Sequence, residues 1–291
     1  MPCADPDGLP WTYPFQVTYC ASFDALAPGP TLMIAHTATI ASLARITVLE
    51  AVRNRLVWLV AIVIVMAFGL AQFLNQVAIA ESREIQSAML AALLRAAAAF
   101  IAAAFVITSM VREWNDKVTE LLLSLPAPRF AYFLGKFAGY AALALILAPL
   151  SALPLVLVSK HGGLVLWTFS LFCELLIVTA MSMFCVLSLT QVVPAFVAVA
   201  GFYMLSRSMA AIQIIAGAPL HDPTLADRAG NAVVQLIAFV LPALDRMTET
   251  QWLTEPGLVG AGTVGTVLVQ TAIYVVLICA ASLFDLYRKN F

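Results

Sequence analysis

From Leu56 onward the chain alternates between long apolar runs and short polar breaks. The runs are Leu56–Leu74, Ala88–Met110, Phe137–Val158, Leu164–Leu189, Val193–Gly217 and Leu258–Phe284. A helix of about 20 apolar residues crosses about 30 Å of hydrocarbon, so each run predicts a transmembrane span. Pro149 and Pro154 fall inside the third run. They are compatible with a span because neighbouring helices can satisfy the carbonyls that proline frees. The longest break between runs, Ala218–Gly257, contains the apolar stretch Ala232–Leu244. That stretch is only about half a membrane thickness long and predicts a re-entrant or interfacial half-helix on the outer side.

Ahead of the first run the period changes. Ile40, Leu43, Ile46, Leu49, Val52 and Leu56 recur at helical spacing from Thr37 to Arg55, with Ser42, Arg45, Glu50 and Arg53 largely on other faces. A basic amphipathic helix directly before a span predicts an interfacial helix. An extension of the first span is the alternative. Residues 1–32 carry six prolines (Pro2, Pro6, Pro10, Pro14, Pro28, Pro30), no basic n-region and no continuous apolar stretch. That excludes a secretory signal peptide and predicts a disordered extension. A true start at Met33 would make that extension a miscalled one. The expected division is an extension over 1–36 and one membrane domain over 37–291.

Composition sharpens this class. Hydrophobic residues make up 63% of the 291-residue chain and charged residues 11%, against about 45–50% and 25% in soluble domains. The length leaves no room for a separate soluble catalytic domain. Basic residues set orientation by their excess in cytoplasmic segments. With the N-terminus inside, Arg45, Arg53, Arg55, Arg112, Lys117, Arg129, Lys136, Arg288 and Lys289 lie in the cytoplasm, nine in all. Arg83, Lys160, Arg228 and Arg246, four, lie outside. The expectation is six spans in the inner (plasma) membrane with both termini cytoplasmic.

Candidate chemistry is sparse. No H-E-x-x-H, G-x-S-x-G or phosphate-binding G-x-x-x-x-G-K-[ST] is present, and no enzyme of its own is expected. The Gly135–Lys136 pair lacks the upstream glycine that would let backbone amides cradle phosphate. His36, His161 and His221 are scattered, and Cys3, Cys20, Cys173, Cys185 and Cys279 form no C-x-x-C pair, so no metal site is expected. Cys173, Met181, Met183 and Cys185 would suit Cu(I) by softness, yet they read first as apolar packing residues.

The segment REWNDKVTELLLSLPAPRFAYFLGKF, residues 112–137, is the most charged in the chain. Arg112, Glu113, Asp116, Lys117 and Glu120 cover one surface of a predicted cytoplasmic helix, Arg112–Leu125, with Glu113 and Lys117 at the favourable i,i+4 spacing. Pro126 and Pro128 stop it, and a new helix is expected near Phe130, with Arg129 and Lys136 at the interface. A positive-inside loop explains the basic residues alone, but not a two-signed helix closed by a double proline.

This segment resembles the region of type 2 ABC-transporter permeases that reads, loosely, R-E-x-x-x-x-T-x-E-L-L-L-S-x-P-x-x-R-x-x-x-x-x-G-K. Arg112, Glu113, Thr119, Glu120, Leu121–Leu123, Ser124, Pro126, Arg129, Gly135 and Lys136 match it in register. Leu43–Leu56 is similar to the family's connecting helix, Phe239–Met247 to its outer half-helix and turn, and Leu283–Phe291 to its basic tail. The resemblance implies an all-α integral membrane protein: six transmembrane helices, an N-terminal interfacial helix, a cytoplasmic coupling helix and an outer re-entrant half-helix. It implies a permease subunit, an exporter, working by alternating access with a second permease subunit (the same chain or another) and two ABC ATPase subunits. ATP and magnesium would sit on that ATPase, and no cofactor on this chain. Glu113, Asp116 and Glu120 would face the ATPase. The lipid bilayer is the other expected partner, and nucleic acid is not one.

Arg95, Glu174 and Arg207 are ionisable residues inside spans. Each costs about 2.5–3.5 kcal/mol on insertion scales if it faces lipid. Counted along the helices, Arg95 and Arg207 lie roughly 10 Å below the outer surface and Glu174 about 5 Å deeper. The expectation is one buried cluster, read either as a structural ion pair or as part of a substrate path. Gly257, Ala261 and Gly265, spaced four apart, suggest close helix packing in the sixth span. An ion-coupled secondary transporter would show repeats and broken midplane helices; none is evident in the sequence. A membrane-embedded enzyme lacks its polar constellation here, and a non-transporting scaffold subunit stays open.

Overall fold

The computed structural model describes residues 30–53, 56–77, 82–116, 129–156, 163–216, 225–247 and 261–288. Among them all regular structure is helical: α1 Pro30–Arg53, α2 Leu56–Val77, α3 Ser82–Asn115, α4 Arg129–Val156, α5 Leu164–Leu189, α6 Val192–Ala216, α7 Leu225–Val240, α8 Leu244–Met247 and α9 Ala261–Arg288. Five apolar segments are long enough to cross a membrane: Ser87–Asn115, Phe130–Val156, Leu164–Leu189, Val192–Ile215 and Val264–Arg288. Helix α2, read from the sequence as the first span, is 22 residues long. The apolar stretch assigned within it, Trp58–Leu70, is shorter than those five.

Helix α5 is the central element. It packs against α3, α4, α6 and α9 and buries Trp167, Leu171, Leu175, Ile177 and Met183 to zero exposure. The outer helices turn large apolar side chains away from this core. Trp58, Val193 and Ile214 are each more than 70% exposed, and α9 adds Val276 and Phe284. A soluble monomer rarely carries apolar surface on this scale; hydrocarbon removes its cost. A two-residue connection, Thr190–Gln191, joins α5 to α6. Thr190 caps α5 in the left-handed region, φ 56°, with its N–H bonded to Val186 O at 3.0 Å.

Helix boundaries differ from the expected ones in three places, each with a local reason. Helix α1 begins at Pro30, so residues 30–36, expected in the disordered extension, are helical. Proline is well placed in a first helical turn, where its missing N–H has no intrahelical partner to lose. Helix α3 runs without a break through Arg112 to Asn115, and Asp116 N still bonds Arg112 O at 2.9 Å. The start of the predicted coupling helix is therefore the last turn of the second span, since no Gly or Pro separates Met110 from Asn115. The apolar stretch expected at Ala232–Leu244 is split. Helix α7 occupies Leu225–Val240, and α8 is a single turn beginning at Leu244. Pro242 disfavours helical geometry at Leu241 and supplies no N–H donor.

Helix α1 lies along α4. A Cβ added at Gly135 would come within 2.9 Å of Leu43 Cβ, and one at Gly139 within 2.6 Å of Thr47 Cβ. Both positions require glycine because α1 occupies the space a side chain would take. The contacts advance by one turn on both helices, so α1 and the start of α4 run in the same direction.

Candidate functional site

Two polar constellations stand out, one at the C-terminal end of α3 and one near its middle. The first gathers where α1, α3 and α4 meet. Arg112 and Glu50 form an ion pair, and Ser109 Oγ donates to the same Glu50 Oε1 at 3.1 Å. One turn of α3 away, Glu113 pairs with Lys136, and Tyr132 Oη donates to Glu113 Oε2 at 3.4 Å. Tyr140 Oη donates to Ser109 Oγ at 3.4 Å, which ties α4 to the Glu50 half. The Lys136 side chain is only 4% exposed and that of Glu113 14%. Arg112, by contrast, is 57% exposed at its side chain. The two ion pairs thus differ: Glu113–Lys136 is shielded from water, whereas Glu50–Arg112 sits at its edge.

Local sequence explains the convergence. Ser109, Arg112 and Glu113 fall at i, i+3 and i+4 on α3, and Tyr132, Lys136 and Tyr140 at i, i+4 and i+8 on α4, so each set shares one face. Gly135 and Gly139 admit α1 beside that face, which brings Glu50 within reach. The ammonium of Lys136 is tolerable under cover because a carboxylate and a phenol meet the same site.

The sequence placed Glu113 toward an ATPase, with Lys117 at i,i+4; Lys117 lies outside the described residues. The structure pairs Glu113 with Lys136, a cross-helix partner that spacing along one helix cannot reveal. Lys136, expected at the interface, is buried, and Gly135 contributes close packing. Asp116 is exposed at the end of the helix. Arg129 begins α4. Lys117, Glu120 and Pro126 lie outside the described residues. Glu50, Ser109, Tyr132, Tyr140 and Gly139 were not selected from the sequence as site residues. A partial signal existed for Glu50, an acid on the polar face of a basic amphipathic helix.

The second constellation lies about 27 Å along α3, eighteen residues at 1.5 Å each, from Glu113 back to Arg95. Arg95 on α3 and Glu174 on α5 are buried, at 1% and 0% exposure. They are electrostatically coupled, and Tyr203 on α6 hydrogen-bonds Glu174. Phe100 closes on Tyr203 edge-on, with ring centroids 5.7 Å apart. The expected Arg95–Glu174 neighbourhood is therefore present, with Tyr203 as a member the sequence did not flag. Arg207, one turn beyond Tyr203, reaches elsewhere: its Nη1 donates to Leu244 O at 2.7 Å. Nearby, Tyr274 Oη on α9 donates to Leu241 O at 2.9 Å. The break between α7 and α8 is thus held by two side chains bonded to backbone carbonyls; that of Leu241 lies just past the end of α7, where carbonyls lack intrahelical donors.

Among the described residues no group of three or more His, Cys, Asp or Glu is arranged to hold a metal. Cys173 and Cys185 are buried free thiols, and Cys279 is half-buried. No family model matches the chain, and no curated protein matches it.

Proposed function

We propose that this chain is the transmembrane subunit of an ABC transporter, an exporter whose substrate is moved by alternating access. ATP is hydrolysed on two copies of a separate ATPase subunit, with a second permease completing the complex. In this reading α2 is the first of six spans, both termini are cytoplasmic in the inner membrane, and α7 with α8 is the outer half-helix and turn. The segment 113–128 meets the ATPase through Asp116 and Glu120.

The observation that carries the proposal is the Glu113–Lys136 pair with Tyr132. It joins the end of α3 to the start of α4 on either side of the segment that resembles a coupling helix. A push on that segment then acts on two spans tied together by charge. The glycine contacts extend the tie to α1. ATP can move such a unit only by binding one of its conformations more tightly than the other.

The test is co-purification of the tagged chain with the ABC ATPase encoded nearest to it, for wild type and for Asp116→Arg/Glu120→Arg. The proposal expects a stable wild-type complex that the charge reversal abolishes while membrane insertion persists. Absence of any ATPase from wild-type preparations would overturn it. A second reading, an ion-coupled transporter without an ATPase, draws on the buried Arg95–Glu174–Tyr203 group, since ionisable residues inside spans often mark ion paths. It expects transport by the purified chain alone under an ion gradient.

A further inference from the structure

An open cleft of about 540 Å³ lies beside the Glu50–Arg112 pair, lined by Ile46, Leu49, Glu50, Arg53 and Arg112. Its wall on α1 is one helical stripe, since positions 46, 49, 50 and 53 are spaced by three and four. Ile46 and Leu49 are 59% and 51% exposed, and Arg53 is exposed as well. Arg112 keeps more than half its side chain accessible even while bonded to Glu50. Two guanidinium groups and two apolar side chains therefore open onto one space; among the described lining residues there is one carboxylate, which one of the guanidiniums already engages. The cleft also sits at the end of the α3 apolar segment, which closes at Asn115, so it opens where hydrocarbon gives way to headgroups.

We propose that this cleft binds the anionic headgroup of a phospholipid, with the phosphate on Arg53 and the free edge of Arg112 and the acyl chain against Ile46 and Leu49. Guanidinium suits a phosphate because its planar fork donates two parallel hydrogen bonds. A soluble phosphate would use only the cationic half of the cleft and leave Ile46 and Leu49 without a partner. A zwitterionic lipid would fill the apolar half, but its own cation would oppose the guanidiniums. Basic pockets between membrane helices on the cytoplasmic side hold anionic lipids on this physical basis. The assignment is independent of whether an ATPase partners the chain.

The experiment is native mass spectrometry of the full chain released from detergent, with phosphatidylglycerol and phosphatidylcholine offered in equal amounts. The variants are Arg53→Gln, which leaves the Glu50–Arg112 pair in place, and Arg53→Lys. Wild type is expected to retain phosphatidylglycerol over phosphatidylcholine. Arg53→Gln is expected to lower that preference about fivefold, the effect of one basic group at a membrane surface. Arg53→Lys, which keeps the charge and loses the fork, is expected to fall between wild type and Arg53→Gln. Glycerophosphate, added at the same headgroup concentration, is expected not to displace the bound lipid. Equal retention of the two lipids by wild type, or an unchanged preference in Arg53→Gln, would overturn the site. Displacement by glycerophosphate would reassign it to a soluble anion.

Discussion

The two ends of the bundle are held by different kinds of hydrogen bond. At the junction of α1, α3 and α4, side chains bond side chains: Glu113 to Lys136 and Tyr132, Glu50 to Arg112 and Ser109, Ser109 to Tyr140. At the break between α7 and α8, side chains bond the backbone: Arg207 to Leu244 O and Tyr274 to Leu241 O. A side-chain pair fixes the identity of both residues, and removing one leaves the other's charge under cover. A backbone acceptor fixes only the donor, and its loss exposes a carbonyl in a segment already interrupted by proline. The junction of α1, α3 and α4 is therefore tied across three helices, whereas the α7–α8 break is pinned at two points, each of which can be released alone.

The sharpest way to break this contrast is Glu113→Ala. It leaves the covered Lys136 ammonium without its carboxylate, a loss of about 3 kcal/mol for a buried pair. It should appear as a clear fall in the thermal unfolding midpoint in detergent. Glu113→Ala/Lys136→Met should recover most of that fall, because the stranded charge is gone; no recovery would mean that the pair acts through something other than charge. Next in size is Gly139→Leu, which drives a side chain into Thr47. Overpacking of this kind costs about 1–3 kcal/mol and should loosen α1 from α4, read as faster proteolysis of α1.

At the α7–α8 break, Arg207→Met removes a bond from a charged donor, worth about 1.5–3 kcal/mol, and Tyr274→Phe a neutral one worth about 1. Both effects should stay local, raising hydrogen exchange across 241–247 while α3 and α4 keep their protection. The smallest effect belongs to Arg112→Gln. Its side chain is 57% exposed, so the pair contributes under about 1 kcal/mol and the unfolding midpoint should barely shift.

The same contrast explains what the sequence could announce. Apolar run length is a local property, and the span Leu164–Leu189 coincides with α5. Arg112, Glu113 and Lys136 are conspicuous because charge is rare in this chain, and they do meet at one junction. Which of them pair is a tertiary fact: Glu113 has Lys117 at ideal spacing on its own chain segment, yet the structure engages it with Lys136. Gly139 and Thr47 were silent because close approach of two helices leaves no mark on either helix alone. Arg207 was legible as a costly intramembrane charge, but its carbonyl partner at Leu244 belongs to every residue type and carries no signature. Tyr274 is an ordinary aromatic in an apolar run.

The central proposal is that the segment after α3 meets an ATPase through Asp116 and Glu120, while Glu113 is held against Lys136. The most direct measurement places a photo-reactive phenylalanine at Asp116, Glu120 or Glu113 in turn and irradiates membranes containing the tagged chain and its candidate ATPase. The account predicts adducts to the ATPase from positions 116 and 120 and none from position 113. Adducts from none of the three, or from position 113 as strongly as from 120, would contradict it.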